Sequence, residues 1–344
     1  MEKKHKVDAN NNNKGRELYV CVTLYHLYLS LLCIGKNKSK FESIILLNAN
    51  DQQIYLQFCK LEPVLKDNGY KVMCRLRNKT KDILGLEGIN NRKQFNQIKE
   101  IWGQDAKEKY VLYNFAWNLQ YVYSTANLFF KNCREAYFIE EGALTAINPA
   151  QSKIKVLVKK ITGTVVDFYK EEKVKAILVQ KPEIYPLEWR TKLQVLKVDE
   201  WLSCIDSNTQ NIILKIFLGD FLDTVKSGIL NDVGIVYTQP LSEDGFITET
   251  EKIDYYHKMV KFYSRYGKPI VKLHPRDMTD YKFDEGITVM PSYFPSELLN
   301  LLDIRFLYAV GICTSAVPTS NAEYRVNTNE NFLTDLKFYL RPLK

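Results

Sequence analysis

Four short polar stretches carry the residue types that could do chemistry. His274–Pro275–Arg276–Asp277 offers an imidazole, a rigid backbone after it and a cation suited to phosphate. The ordinary pKa of such a histidine is about 6.5, within reach of acid work near neutrality. Ser242–Glu243–Asp244–Gly245 and Glu140–Glu141–Gly142 are carboxylate clusters, and either could supply a general base. Thr314–Ser315 can open a helix and aim backbone N–H groups at a phosphate. A base, an acid and a phosphate cradle suit group transfer from a nucleotide-activated donor. Taken singly, each stretch reads equally well as an acidic turn, a capped turn or a helix N-cap. Their weight comes from all following predicted strands, where parallel sheets build ligand sites.

The elements that must position them follow from periodicity. Upstream of His274, the apolar residues Ile253, Tyr256, Val260 and Tyr263 recur at helical spacing. Thr248 and Glu251 predict a capping box, and Gly267 with Pro269 predicts the stop. Pro269 to Leu273 then reads as a short buried strand. The same alternation runs along the chain. Strands are expected at Leu18–Val22, Ser43–Leu47, Lys71–Arg75, Tyr110–Tyr113, Ala136–Ile139, Ala176–Gln180 and Leu193–Val198. Helices are expected between the first five, at Leu24–Ile34, Asp51–Asp67, Arg92–Trp102 and Trp117–Lys131. Trp201 to Asp232 reads as helical. A second set of strands follows at Gly234–Thr238, Pro269–Leu273, Ile287–Met290 and Ile304–Val310, with a helix at Ser296–Leu302. Strands separated by helices mean βαβ units and parallel sheets. At 344 residues two domains are expected, here 16–205 and 206–344 after a polar tail over 1–15 that reads as disordered. Two Rossmann-like domains with facing sheet edges would bring all four polar turns to one cleft.

Composition narrows the function classes. The formal charge of +8 is spread out and does not argue for nucleic acid; it fits an acidic ligand or an anionic membrane face. The seven cysteines are odd in number and form no CxxC, which reads as buried free thiols in a reducing compartment. With four histidines and no Cys/His pairing, no metal site is expected. There is no GxGxxG and no P-loop. Leu18–Gly35 carries no formal charge behind a basic tail, yet it holds Thr23, His26 and Ser30 and divides into a strand and a helix. It is therefore read as core, not as a span, and the protein as cytoplasmic.

At these motifs the sequence resembles the bacterial sialyltransferases of glycosyltransferase family 52, which act on lipooligosaccharide. The similarity runs from Tyr19–Val20–Cys21–Val22–Thr23–Leu24–Tyr25–His26–Leu27 through Phe138–Ile139–Glu140–Glu141–Gly142 and Gln239–Pro240 to Asp244. It continues with Lys272–Leu273–His274–Pro275–Arg276 and ends at Thr314–Ser315–Ala316. The resemblance implies a GT-B fold, a CMP-sialic acid donor, no metal and inversion at the anomeric centre. It puts the base on Asp244 and the acid on His274. Donor binding would involve Glu141, Gly142, Gln239, Pro275, Arg276, Thr314 and Ser315. The family usually has Asp in the acidic-Gly turn, where this chain has the longer Glu140 and Glu141. The implied partners are CMP-sialic acid and a galactose-terminated oligosaccharide of a surface glycan or capsule. Peripheral association with the inner membrane face and a homodimer are both compatible with the sequence. A GT-B transferase for another nucleotide sugar, and a non-catalytic nucleotide-sugar-binding subunit of glycan assembly, are the competing readings.

Overall fold

The alternation of apolar strands and amphipathic helices resolves into two parallel sheets in a computed structural model. The structure describes residues 15–37, 40–49, 51–76, 86–102, 110–115, 125–140, 167–226, 232–302, 304–328 and 343. The chain divides into two compact units between Asp206 and Ser207.

In the first unit the order is β1 (Gly15–Cys21), α1 (Leu24–Asn37), β2 (Phe41–Ala49), α2 (Gln52–Asp67), β3 (Lys71–Leu76) and α3 (Leu86–Trp102). Then come β4 (Val111–Asn114), α4 (Thr125–Asn132), β5 (Glu135–Ile139), β6 (Val174–Val179), β7 (Leu193–Val195) and α5 (Val198–Ser203). The strands pair in the order β3-β2-β1-β4-β5-β6-β7, all parallel. Leu18, Val20, Ile44 and Leu46 on one face and Tyr19, Cys21, Ile45 and Leu47 on the other are 0% exposed, so both faces of the central strands are covered and the strands read as continuous apolar runs. Leu18–Gly35 is indeed a strand and a helix of this core. Among the described residues no helix is long and apolar enough to cross a membrane.

The second unit runs α6 (Ser207–Leu218), α7 (Phe221–Lys226), β8 (Val233–Tyr237), α8 (Glu249–Tyr263), β9 (Lys268–Lys272), β10 (Thr288–Met290), a 3₁₀ segment (Ser296–Leu302), β11 (Phe306–Ile312), α9 (Ala316–Thr319) and β12 (Ala322–Thr328). Its parallel order is β10-β9-β8-β11-β12. The expected capping box forms: Thr248 Oγ1 accepts from Glu251 N–H, while the Glu251 carboxylate accepts from Thr248 N–H. Below it, Tyr255, Tyr256, Met259, Val260 and Tyr263 face the sheet. Gly234 has no room for a side chain, because a Cβ there would fall 1.9 Å from Cζ of Tyr308. Two Rossmann-like α/β units in succession make this a GT-B fold.

Several boundaries differ from expectation. Val198 opens α5 instead of ending a strand, and β11 runs on through Gly311 and Ile312. The expected helix Trp117–Lys131 is described only from Thr125. The polar tail lies outside the described residues apart from Gly15, which opens β1. β12 was not expected at all. None of the cysteines is in a disulfide, but only Cys21, Cys33 and Cys133 are buried; Cys204 and Cys313 are exposed.

Candidate functional site

Strand order decides where ligands sit. In the second sheet the chain leaves β8 toward β9 and β10 on one side, then returns to β11 and β12 on the other. The reversal lies between β8 and β11, and a crevice forms outside the carboxyl ends of strands at such a point. Those ends carry Thr238–Gln239 and Cys313–Thr314–Ser315, with His274 after the adjacent strand β9.

The turn after β9 is built by short-range bonds. Asp277 N–H donates to the His274 carbonyl at 2.9 Å, closing a four-residue turn with Pro275 at its second position, where its fixed φ is favoured. His274 N–H donates to Thr238 Oγ1 at 3.0 Å, which ties this turn to the end of β8. His274 Nδ1 accepts from Arg276 N–H at 3.1 Å. That bond fixes the tautomer: Nδ1 is the acceptor, so Nε2 carries the proton. Burial, then the charges of Arg276 and Lys272, push His274 down to about 4 against the opposing pull of Asp244 and Glu243. The neutral Nε2–H imidazole is therefore the resting form near neutrality. This corrects the expectation of an unperturbed, readily protonated histidine. Lys272, one strand position before Leu273, is buried and pushed down to about 7 by burial, against the pull of Glu297.

The turn after β8 is equally constrained. Asp244 N–H donates to the Pro240 carbonyl and Gly245 N–H to the Ser242 carbonyl. Gly245 has φ +76, a left-handed conformation that glycine adopts without a Cβ clash. Gln239 N–H donates to the buried Tyr256 hydroxyl at 2.7 Å, so α8 holds the turn from beneath. The two turns meet through side chains. Arg276 Nη1 and Nη2 donate to Asp244 Oδ1 and Oδ2, both at 2.8 Å. Glu243 Oε1 accepts from Met278 N–H at 2.8 Å, while its Oε2 accepts from Lys252 Nζ at 2.6 Å. Burial would raise the Glu243 pKa, but the Lys252 and Met278 bonds outweigh it and hold the carboxyl below its usual range.

After β11 the backbone turns sharply at Cys313, whose φ of 44 lies in the left-handed region that costs a non-glycine residue strain. Thr314 is buried; its Oγ1 accepts from Ala316 N–H at 3.2 Å, and its N–H donates to Asn327 Oδ1. Ser315 is exposed and its side chain caps nothing. A helix does open here, α9, but it has only 4 residues and contains Pro318, so it offers little dipole. Of the expected pair, Ser315 is the freer hydroxyl.

Glu140 sits buried at the end of β5, where its Oε2 accepts from Gln180 N–H beyond the neighbouring strand β6. It ties two strand ends together. Glu141 and Gly142 lie outside the described residues. In the first sheet the reversal falls between β1 and β4, next to the Thr23–His26 motif. His26 is buried, its Nδ1 accepts from Val22 N–H, its ring stacks on Phe115 at 4.8 Å, and burial pushes it down to about 3. Among the described residues no cluster of three His, Cys, Asp or Glu side chains could hold a metal ion. Sequence periodicity also missed Lys252, a buried cation between the two turns; its signal was a lysine inside an otherwise apolar helix face.

Over residues 70–320 the chain matches the model of glycosyltransferase family 52. A Haemophilus influenzae protein described as uncharacterized is 29% identical over 191 residues, covering 55% of this chain and 60% of the relative's length. Among solved structures, the UDP-GlcNAc 2-epimerase of Methanocaldococcus jannaschii, in complex with UDP-GlcNAc and UDP, is 11% identical with a TM-score of 0.48, covering 91% of this chain and 88% of that one. The UDP-N-acetylglucosamine 2-epimerase of Rickettsia bellii is 12% identical with a TM-score of 0.42, covering 87% of this chain and 74% of that one. The two structural likenesses say nothing of activity. The family match spans well over half of the sequence and takes in the turns of Asp244 and His274 and Thr314–Ser315: the chain belongs to glycosyltransferase family 52.

Proposed function

We propose that this glycosyltransferase is an inverting, metal-independent sialyltransferase that moves sialic acid from CMP-sialic acid to a galactose-type hydroxyl of a bacterial surface glycan. The observation that carries the reading is the union of two turns. The bidentate Asp244–Arg276 pair places a carboxylate beside the turn that begins with His274. In the proposed step the acceptor oxygen attacks the anomeric carbon of the donor. Its proton passes to Asp244, and the bond from the anomeric carbon to the CMP phosphate oxygen breaks. Each Asp244 oxygen keeps a second lone pair beyond the one used by Arg276, so the pair does not exclude a base role. His274 donates its Nε2–H to the departing phosphate as a hydrogen bond. With its Nδ1 already accepting from Arg276 N–H, full protonation would set two donors against each other. Ser315, Thr314 and Gln239 at the strand-order reversal, with Pro275 and Arg276, are assigned to the donor, as are Glu141 and Gly142 on the family resemblance. The protein would work at the cytoplasmic face of the membrane as a peripheral enzyme.

The test is transfer from labelled CMP-sialic acid to lactose in excess EDTA. Labelled trisaccharide is expected. Transfer from UDP-sugars instead, or activity that returns only with Mn²⁺ or Mg²⁺, would overturn the reading.

A further inference from the structure

A lysine in the first turn of a helix opposes the helix dipole, and a lysine with no exposed surface gives up its hydration. Lys252 does both: it stands in the first turn of α8 and is 0% exposed. Such a placement persists only where partners offset its cost. Its Nζ donates to Asp277 Oδ1 at 2.8 Å, Glu243 Oε2 at 2.6 Å and Ser242 Oγ at 3.3 Å, which uses all three ammonium protons. The Tyr281 ring lies 5.8 Å away.

These partners belong to different turns. Ser242 and Glu243 follow β8; Asp277 follows β9. Both Asp277 oxygens are engaged in turn, Oδ1 also accepting from Thr279 N–H at 3.1 Å and Oδ2 from the Tyr281 hydroxyl at 2.7 Å. Its backbone N–H closes the turn on the His274 carbonyl. Each carboxylate held by Lys252 is thus adjacent in sequence to one member of the Asp244–Arg276 pair. The contacts converge on one buried ammonium, whereas the surface of that pair is open to water.

We propose that Lys252 is a positioning residue that locks the β8 and β9 turns together, so that Asp244 and His274 keep a fixed separation during transfer. The inference rests on the reading above, in which those two residues act on one substrate pair. Without the ammonium, Glu243 and Asp277 repel across the node and the turns separate. Catalysis then suffers in kcat more than in donor KM: Gln239, Pro275 and Arg276 shift with the two turns, but Thr314 and Ser315, which follow β11, still hold the donor phosphate.

The test compares Lys252→Met and Asp277→Asn with the wild type in kcat, donor KM and thermal unfolding midpoint. Rates are taken at a temperature where each protein is fully folded. Asp277→Asn is isosteric and loosens the node from the other side, so it decides the matter if Lys252→Met fails to fold. The expected result is a kcat lower by about 10-fold to 10²-fold, the scale of misplaced catalytic groups, with donor KM changed less than about threefold. A lowered midpoint with wild-type kcat in the folded fraction would overturn the proposal and leave Lys252 as a structural anchor. A wild-type protein that transfers nothing from CMP-sialic acid would instead overturn the proposed function.

Discussion

Arg276 grips both carboxylate oxygens of Asp244 at 2.8 Å across 32 residues of sequence. The guanidinium fork matches a carboxylate, and a lysine at the same place would present a point charge without that geometry. The side chains are 45% and 31% exposed, so the pair adds little to stability, no more than about 1 kcal/mol. Its value lies in orientation. Arg276→Lys should leave the unfolding midpoint almost unchanged while lowering kcat by about tenfold or more. A large loss of stability with kcat preserved would mean the pair is structural.

His274 should titrate far from its ordinary value. Burial and the neighbouring cations hold its pKa at about 4, below the usual 6.5. The folded protein therefore binds this proton less readily than the unfolded chain. Stability contributed by the neutral ring is present above about 6.5 and falls as pH drops from there toward about 4. Histidine NMR should show the Nε2–H tautomer near neutrality with a midpoint near 4, and kcat/KM should show no His274 inflection between about pH 5 and 8. A midpoint near 6.5 would contradict the geometry.

The two hydroxyls after β11 should separate. Ser315→Ala should raise donor KM without changing acceptor KM or the unfolding midpoint, because Ser315 is exposed and caps nothing. Thr314→Val removes the acceptor of Ala316 N–H and should cost about 0.5–1.5 kcal/mol of stability. Equal changes in both Michaelis constants for Ser315→Ala would assign that residue to the fold.

Gly234→Ala tests the packing under the site. The new methyl would sit 1.9 Å from the Tyr308 ring, which is itself pinned by a hydroxyl bond to the Gly267 carbonyl at 3.1 Å. Overpacking of at least about 1–3 kcal/mol is expected, read as a lower unfolding midpoint. An unchanged midpoint would show that β8 and β11 can part freely.

Much of this was written in local pattern. Most strands of both sheets announce themselves as apolar runs, the Thr248–Glu251 box fixes the start of α8 by chemistry that needs no tertiary context, and Gly267 ends the 3₁₀ turn Ser264–Tyr266 that follows the helix. The polar turns could be found because they follow such runs. β12 escaped because it is an edge strand: Glu323, Tyr324 and Arg325 are exposed, so no buried face marks it. The Thr314–Ser315 pair does open a helix, but Pro318 and the short connection to β12 hold it to one turn, a length the Thr-Ser pattern does not encode. Lys252 and the Asp244–Arg276 pair depend on how two turns are offset in space. Hydrophobic periodicity carries no such information, and strand order supplies it.

The most direct test of the account is turnover by Asp244→Asn and His274→Ala with labelled CMP-sialic acid and lactose, alongside the thermal shift each protein shows with CMP. Asp244→Asn should lose about 10²–10⁴-fold in kcat, the range typical of positioned proton transfer, and His274→Ala about 10²–10³-fold, the scale of one lost transition-state hydrogen-bond donor, while the CMP shift persists in both. Near-normal turnover by Asp244→Asn, with activity abolished instead by Glu140→Gln or Glu141→Gln, would contradict the account and move the base to the first unit.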